Sequence, residues 1–259
     1  MKNSILLLLL ACFVSSSLLA QNAHFTTAGT IEYEKKVNMY AIIKKRLGKE
    51  EDNSFGQQAF EQYKKTQPQF KTLVSTLTFT GNKTFFNPAP APETTGNGWF
   101  GNEPSATQNN IVYTDLNTNV STTNKKVFEE QFLVKDTVRK INWKITDETR
   151  EIAGFTCRRA NAIVMDSVYV VAFYSDEIPV SGGPESFTGL PGMILGVALP
   201  HDNITWFATK VTDMPVAETA LKVPNKGKAV DYKGLVTTLN KALKSWGEYA
   251  QQYFRVFLL

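Results

Sequence analysis

The stretch between residues 110 and 212 constrains the fold most, because it consists of one candidate β-strand after another. Short apolar or alternating runs are separated by Asn, Asp, Gly and Pro, the residues that favour turns. The predicted strands in this stretch are 110–115, 119–123, 126–134, 138–146, 158–165, 167–175, 193–199 and 203–212. Two earlier segments, 29–39 and 71–80, also alternate with period two, and 83–86 is the predicted return strand of a hairpin.

Helical periodicity is visible in only two places. Residues 49–66 carry apolar side chains four positions apart, and residues 231–254 carry a continuous apolar stripe. Consecutive strands with so few helices between them exclude a parallel α/β sheet. The prediction is therefore an α+β fold that is mainly antiparallel β. Its sheet is expected to be curved or partly barrel-like, with one N-terminal helix and a C-terminal helix packed on or beside it.

The first twenty residues have the order of a secretory signal peptide: a basic start, an apolar run and then small residues. We expect cleavage after Ala20 and a single domain over residues 21–259. A rival interpretation is a bacterial lipobox, Leu9-Leu10-Ala11-Cys12, in which Cys12 would become a lipidated N-terminus. Both interpretations predict export, and no later apolar segment is long enough to cross a bilayer.

The residues that usually carry chemistry are scarce. After cleavage Cys157 would be the only cysteine, so we expect no intramolecular disulfide and interpret Cys157 as a small buried core residue. The alternative is a reactive or intermolecular thiol. Common nucleotide-binding, zinc-protease and serine-hydrolase motifs are absent. We therefore predict no catalytic residue, no metal and no cofactor, and rank last an enzyme of unrecognised type that uses Cys157, Asp176 or Glu177.

The charge pattern argues against nucleic acid as a partner. The net charge is +4 over 259 residues, and the basic residues stand beside acids instead of forming one patch. The basic groups Lys44-Lys45-Arg46, Lys64-Lys65 and Lys125-Lys126 are interpreted as solvated faces.

Residues 87–110 are the most irregular stretch, because four prolines and three glycines exclude a helix or a central strand. Trp99 and Phe100 lie in the middle of it. This aromatic pair is a candidate binding tip, and the alternative is that it folds back onto the core.

A distinctive segment precedes the strand predicted at 193–199. It reads Gly189-Leu190-Pro191-Gly192-Met193-Ile194. Pro191 presets the φ angle of the second position of a type II turn, and Gly192 accepts the positive φ of the third. The turn either seats the following strand or forms a ligand loop. None of these side chains can transfer a proton or act as a nucleophile, so a direct role would be binding or conformational.

These six residues resemble the signature of the GLPGLI family, also called the Porph_ging family, of Bacteroidetes envelope proteins. Met193 replaces the usual Leu. Upstream, residues 152–160 resemble the family's I-x-G-x-x-C-x-x-A stretch, and residues 173–184 resemble the segment that leads to its turn. The resemblance implies a Gram-negative cell envelope, in the periplasm or associated with the outer membrane. It implies no established activity.

Together these features favour a non-catalytic binding or accessory protein of the envelope. In the first version a curved sheet holds a small apolar ligand or a lipid in its concavity. In the second version the protein docks to an outer-membrane protein of a transport system, with the 87–110 segment as the contact.

Overall fold

The computed structural model describes residues 25–48, 54–90, 100–101, 103–247 and 249–259. The predicted signal peptide and Cys12 lie outside these residues. The strands are β1 Ala28–Asn38, β2 Phe70–Thr80, β3 Lys83–Pro88, β4 Ile111–Asp115, β5 Val120–Val127, β6 Glu130–Thr137, β7 Lys144–Ile152, β8 Phe155–Val164, β9 Val168–Ser175, β10 Met193–Leu199, β11 Ile204–Asp213 and β12 Lys228–Val230. The helices are α1 Met39–Leu47, α2 Ser54–Thr66, α3 Pro104–Thr107, α4 Tyr232–Leu243 and α5 Tyr249–Leu258.

All twelve strands belong to one sheet, in the order β12-β6-β5-β4-β3-β2-β1-β11-β10-β9-β8-β7. Every pair is antiparallel except β12 and β6, which are parallel. Strand β1 lies in the middle and pairs with β2 on one side and with β11 on the other. Chain-adjacent hairpins build both halves, whereas β1 and β11 join residues that are far apart in sequence. The prediction of a mainly antiparallel α+β fold is confirmed.

One face of this sheet, which we call the inner face, can be followed from strand to strand through the register. It carries Tyr33 and Lys35 on β1, Phe86 on β3 and Lys125 on β5. Near the other end it carries Val164 on β8. Strands β5 and β8 are eight positions apart in the sheet, roughly 38 Å if it were flat. Lys125 and Val164 nevertheless line one cavity, so the sheet curls around its inner face.

The curl does not become a closed barrel, because β12 and β7 remain the two edges of the sheet. Edge strand β7 is almost entirely exposed and carries the charges of Asp147, Glu148, Arg150 and Glu151. Charged side chains on an exposed edge discourage pairing with another chain. The sheet is therefore curved and is not closed into a barrel.

The helices near the N-terminal and the C-terminal end of the described chain both differ from the sequence prediction. The strand predicted to run to residue 39 ends at Asn38, whose side chain accepts a hydrogen bond from the Ala41 amide at 3.1 Å and so caps α1. The sequence analysis therefore missed α1 and found only the second helix of that region. The single helix predicted over 231–254 is two helices, α4 and α5. A turn with Gly247 at φ +57° separates them.

Strands β9 and β10 form the most buried part of the sheet. Both faces of β9 are covered from Val170 to Ser175, as its apolar composition predicted. Its even-numbered residues pack with α1 and α2, and Val171 and Phe173 pack in a second cluster with Cys157. Among the described residues no helix is sufficiently long and apolar to span a membrane.

Candidate functional site

A cavity of about 540 Å³ lies on the inner face of the curled sheet. Strands β4, β5 and β6 form one wall, and the turn between β8 and β9 approaches from the opposite end of the sheet. Helix α4, the end of α5, the segment 138–142 after β6 and Ser186 of the β9–β10 loop also contribute to the lining. The apolar lining residues are Val112, Val134, Val138, Ile163, Val164, Met165, Leu235, Leu258 and Leu259. We call this the inner-face cavity.

Two cations of the inner-face cavity are bonded to the end of α5. The buried Lys125 ammonium donates to the Phe257 carbonyl at 2.7 Å, and Arg139 Nη2 donates to the Leu258 carbonyl. Ser186 Oγ donates to the Leu259 main-chain oxygen at 2.8 Å. The last carbonyls of a helix have no intrahelical partner and carry partial negative charge. The cavity wall thus supplies both the donors and the positive charge that hold this helix end.

One terminal nitrogen of the Arg139 guanidinium group donates no hydrogen bond to any described residue. Its Nη1 atom is buried and has no hydrogen-bond partner among the described residues, while its guanidinium lies 5.6 Å from the centre of the Tyr232 ring. Burial lowers the pKa of Arg139. The nearby carboxylate Asp136 is already occupied, since it accepts from the amides of Tyr232 and Thr137 at 2.9 and 2.7 Å.

A second buried lysine lies behind the cavity. The Lys35 ammonium stands 4.9 Å from the centre of the Trp206 ring, and burial lowers its pKa while Glu185 raises it. Glu185 accepts from Asn110 Nδ2 at 2.9 Å. The lysine and its carboxylate come from β1 and from the β9–β10 loop, more than a hundred residues apart in sequence.

The solvated-face interpretation was wrong for Lys125 and right for its neighbour. Lys126 is exposed, whereas Lys125 points to the inner face and is only 5% exposed. Adjacent residues of a strand alternate between faces, so one lysine of such a pair must face the covered side of the sheet. This alternation could have indicated from the sequence that Lys125 is buried, whereas the charge of the pair suggested only a solvated surface.

The sequence motif begins at the end of the loop that joins β9 to β10 and continues into the first two residues of β10. Leu190, Gly192, Met193 and Ile194 are buried, whereas Gly189 and Pro191 are exposed. The predicted type II turn is not present, because Gly192 does not have a positive φ; Gly189 does, at +92°. Glycine is required at Gly192 for another reason. A Cβ atom there would lie 2.1 Å from the Ser175 carbonyl oxygen.

Hydrogen bonds fix this loop across the inner face. Ser181 Oγ donates to the Leu190 carbonyl at 2.6 Å, and Trp143 Nε1 donates to the Thr188 carbonyl at 2.8 Å. Within the same loop, Glu185 bonds Asn110 and Ser186 reaches the cavity. The six motif residues themselves do not line the inner-face cavity, so the structure brings Ser186 to it and places the motif beside it.

The two aromatic candidates of the irregular segment are only partly described. Phe100 is buried, with its ring centre 5.9 Å from that of Tyr63 on α2. Trp99 lies outside the described residues. Phe100 is therefore placed in the core, and a binding role for the pair stays a prediction.

The remaining candidates are buried or solvated. Cys157 is fully buried, and burial raises the pKa of its thiol to about 12, with a further contribution from Glu177. Asp176 and Glu177 are exposed in the turn after β9. Within the described residues no group of three or more His, Cys, Asp or Glu side chains is arranged to hold a metal ion.

Comparison with known families supports the family resemblance of the motif. A family model described as a protein of unknown function (Porph_ging) matches residues 162–196, which extend from β8 through β9 and the motif to β10. The predicted resemblance to this family is confirmed over these residues. The upstream stretch 152–160 lies outside the match. No curated protein matches the chain.

Three solved structures show a distant likeness to this chain. Two structures of PNGF-II, in space groups P21 and C2, are 16% and 14% identical, each with a TM-score of 0.48. They cover 79% and 88% of this chain, which spans 31% and 33% of theirs, about a third. An uncharacterized conserved protein from Thermus thermophilus is 5% identical with a TM-score of 0.37, covering 84% of this chain and 99% of its own.

Gly192→Ala should destabilise the protein, because the new methyl group must displace the backbone at Ser175. We expect the free energy of unfolding to fall by about 3 kcal/mol in urea denaturation. The control is Pro191→Ala, at the exposed neighbouring position, which should cost less than about 1 kcal/mol. Equal losses in the two variants would contradict the close-packing explanation.

Lys125 should make stability rise with pH. Burial lowers its pKa from 10.5 to about 8, so above pH 8 the folded state has lost a proton that the unfolded state still binds. Relative to Lys125→Met, the free energy of unfolding of the unmodified protein should increase by about 2 kcal/mol between about pH 7 and pH 10. The difference in free energy of unfolding between the two proteins at each pH excludes the contributions of Cys157 and the tyrosines, because these groups titrate in both proteins.

Lys126→Met is the matched control for this titration, since Lys126 is the exposed neighbour on the same strand. The control should follow the pH dependence of the unmodified protein. A flat difference between the unmodified protein and Lys125→Met would show that Lys125 has an ordinary pKa in the folded state.

Cys157 should resist thiol reagents in the folded protein, because a buried thiol with a pKa of about 12 provides almost no thiolate. Iodoacetamide labelling of the peptide that contains Cys157, followed by mass spectrometry, should require denaturant. The control is Ser167→Cys in the exposed β8–β9 turn, which should be labelled at once. Rapid native labelling of Cys157 would revive the reactive-thiol alternative.

Proposed function

We propose that the protein is a non-catalytic binding protein of the cell envelope, which holds a small, partly apolar ligand in the inner-face cavity. The observation that supports this most is the cavity itself. Its volume of about 540 Å³ falls within the range of small-molecule sites. Residues that line it come from both ends of the sheet, so it is a product of the curl that sequence analysis expected.

The lining supports a ligand with both apolar and polar parts. Valine, isoleucine, leucine and methionine side chains cover much of the wall, and Lys125, Arg139, Ser121 and Thr123 add polar groups. Twelve of the 21 lining residues are polar or charged, so the cavity presents apolar and polar surface together. Apolar contacts bind a ligand and polar groups orient it, and neither role requires a catalytic residue. The envelope location is part of the proposal and rests on the signal-like residues 1–20 and on the Porph_ging resemblance.

The test is native mass spectrometry of the protein released gently from its own envelope. We expect an extra mass that disappears on denaturation, which would identify the ligand. In parallel, Thr123→Trp fills the cavity from β5 and should abolish the extra mass. The control Thr78→Trp makes the same change on the opposite face of β2 and should retain it.

A bare mass, combined with no binding of apolar probes to the purified protein, would contradict the carrier proposal. The second candidate would then be an accessory protein that docks to an outer-membrane partner, for which envelope crosslinking is the direct measurement. Phe100 offers this candidate little, because its side chain is already in the core.

A further inference from the structure

The charges around the inner-face cavity indicate what kind of polar group its ligand carries. Three cationic side chains, Lys35, Lys125 and Arg139, lie at or behind the cavity, and burial lowers the pKa of each. The buried carboxylate that faces the two lysines is Glu185, which already accepts a hydrogen bond from Asn110. The buried side chains at this site therefore carry more positive charge than negative charge.

The other acids of the cavity do not restore the balance. Asp136 accepts two backbone hydrogen bonds, and Asp166 is exposed to solvent, as is the lining residue Lys140. Among the described residues no carboxylate lies within ion-pair distance of Arg139 or Lys125. The carbonyls at the end of α5 contribute only partial negative charge.

Arg139 provides the specific geometry. Of the two terminal guanidinium nitrogens, Nη2 donates to the Leu258 carbonyl, and Nη1 is buried without a partner among the described residues. A buried donor without an acceptor is costly, and a charged one more so. An anionic oxygen in the cavity would satisfy Nη1, because guanidinium matches carboxylate and phosphate groups.

We propose that the ligand of the inner-face cavity is an anionic amphiphile, whose carboxylate or phosphate group binds Arg139 Nη1 with Lys125 nearby. Its aliphatic part lies against Val134, Val164 and Leu235. This inference rests on the proposed function and adds the chemical class of the ligand. Lys125, Arg139 and the end of α5 form one hydrogen-bonded unit, so the anion also stabilises the seat of that helix.

Calorimetry with four probes of equal chain length tests the proposal: decanoate, decyl phosphate, decanol and decyltrimethylammonium, all below the concentrations at which they aggregate. Decanoate or decyl phosphate should bind at least about tenfold more tightly than decanol, because only they supply a charged acceptor. The cation should bind most weakly. The better of the two anions distinguishes a fatty-acid-like ligand from a lipid phosphate.

Arg139→Gln should weaken the anions by at least about tenfold and leave decanol unchanged. Arg139→Lys keeps the charge and should retain the preference for anions at reduced affinity. The matched control Arg158→Gln removes an exposed arginine from β8 and should change nothing. Because Arg139 also holds Leu258, each variant is first checked for native folding by near-ultraviolet circular dichroism.

If Arg139→Gln does not fold, the comparison of the four probes on the unmodified protein still tests the proposal. Equal affinity for decanoate, decyl phosphate and decanol would overturn the anionic class and leave the carrier function standing. Failure of all four probes to bind would contradict the proposed function itself. Anion binding that is identical in Arg139→Gln and the unmodified protein would overturn the role of Arg139.

Discussion

The pairing of β1 holds the whole sheet together. Strands β2 to β6 form one half and β11 to β7 the other, and β1 is the strand that connects them, through eleven register pairs with β2 and nine with β11. Its inward side chains Ile31, Tyr33 and Val37 are fully buried. Because a slip by one residue would turn these side chains outward and others inward, the inner face has a strongly specified register. The curl, the loop that crosses the inner face and the cavity all depend on that register.

The inner face contains charges that a purely structural core would avoid. Burying an ammonium or guanidinium group is costly unless good partners replace water. Lys125 has the Phe257 carbonyl, Arg139 has the Leu258 carbonyl, and Lys35 has the Trp206 ring and Glu185 nearby. These contacts fix α5 against the sheet, yet within the described part of the chain they leave Arg139 Nη1 without an acceptor. Incomplete satisfaction of buried polar groups at one place is a reason to look there for a ligand.

Sequence reasoning located some strands and missed others, and it placed helix boundaries poorly, for local reasons. The strand predicted at 126–134 runs across the turn between β5 and β6, and most of the strand predicted at 138–146 precedes β7. Strand β10 was predicted with its observed bounds, since its apolar run is enclosed by Gly192 and Pro200. Helix α1 was missed because Met39 to Leu47 continue the apolar character of β1, and only the cap formed by Asn38 marks the change. Gly192 was predicted to be required for a type II turn, and this reason was wrong. It is required because the Ser175 backbone lies so close, and rules for turns do not include such a contact.

The sequence by itself determined the mainly antiparallel class, some of the turns between neighbouring strands, the buried nature of Cys157 and β9, and the family resemblance at the motif. These properties follow from period, composition and short spacing, which are local. The tertiary structure alone decided that β1 pairs with β11, that the sheet curls without closing, and that Lys125 and Arg139 meet the end of α5. Each of these joins residues about a hundred or more positions apart, and local patterns do not specify which distant partner a strand or a charge finds.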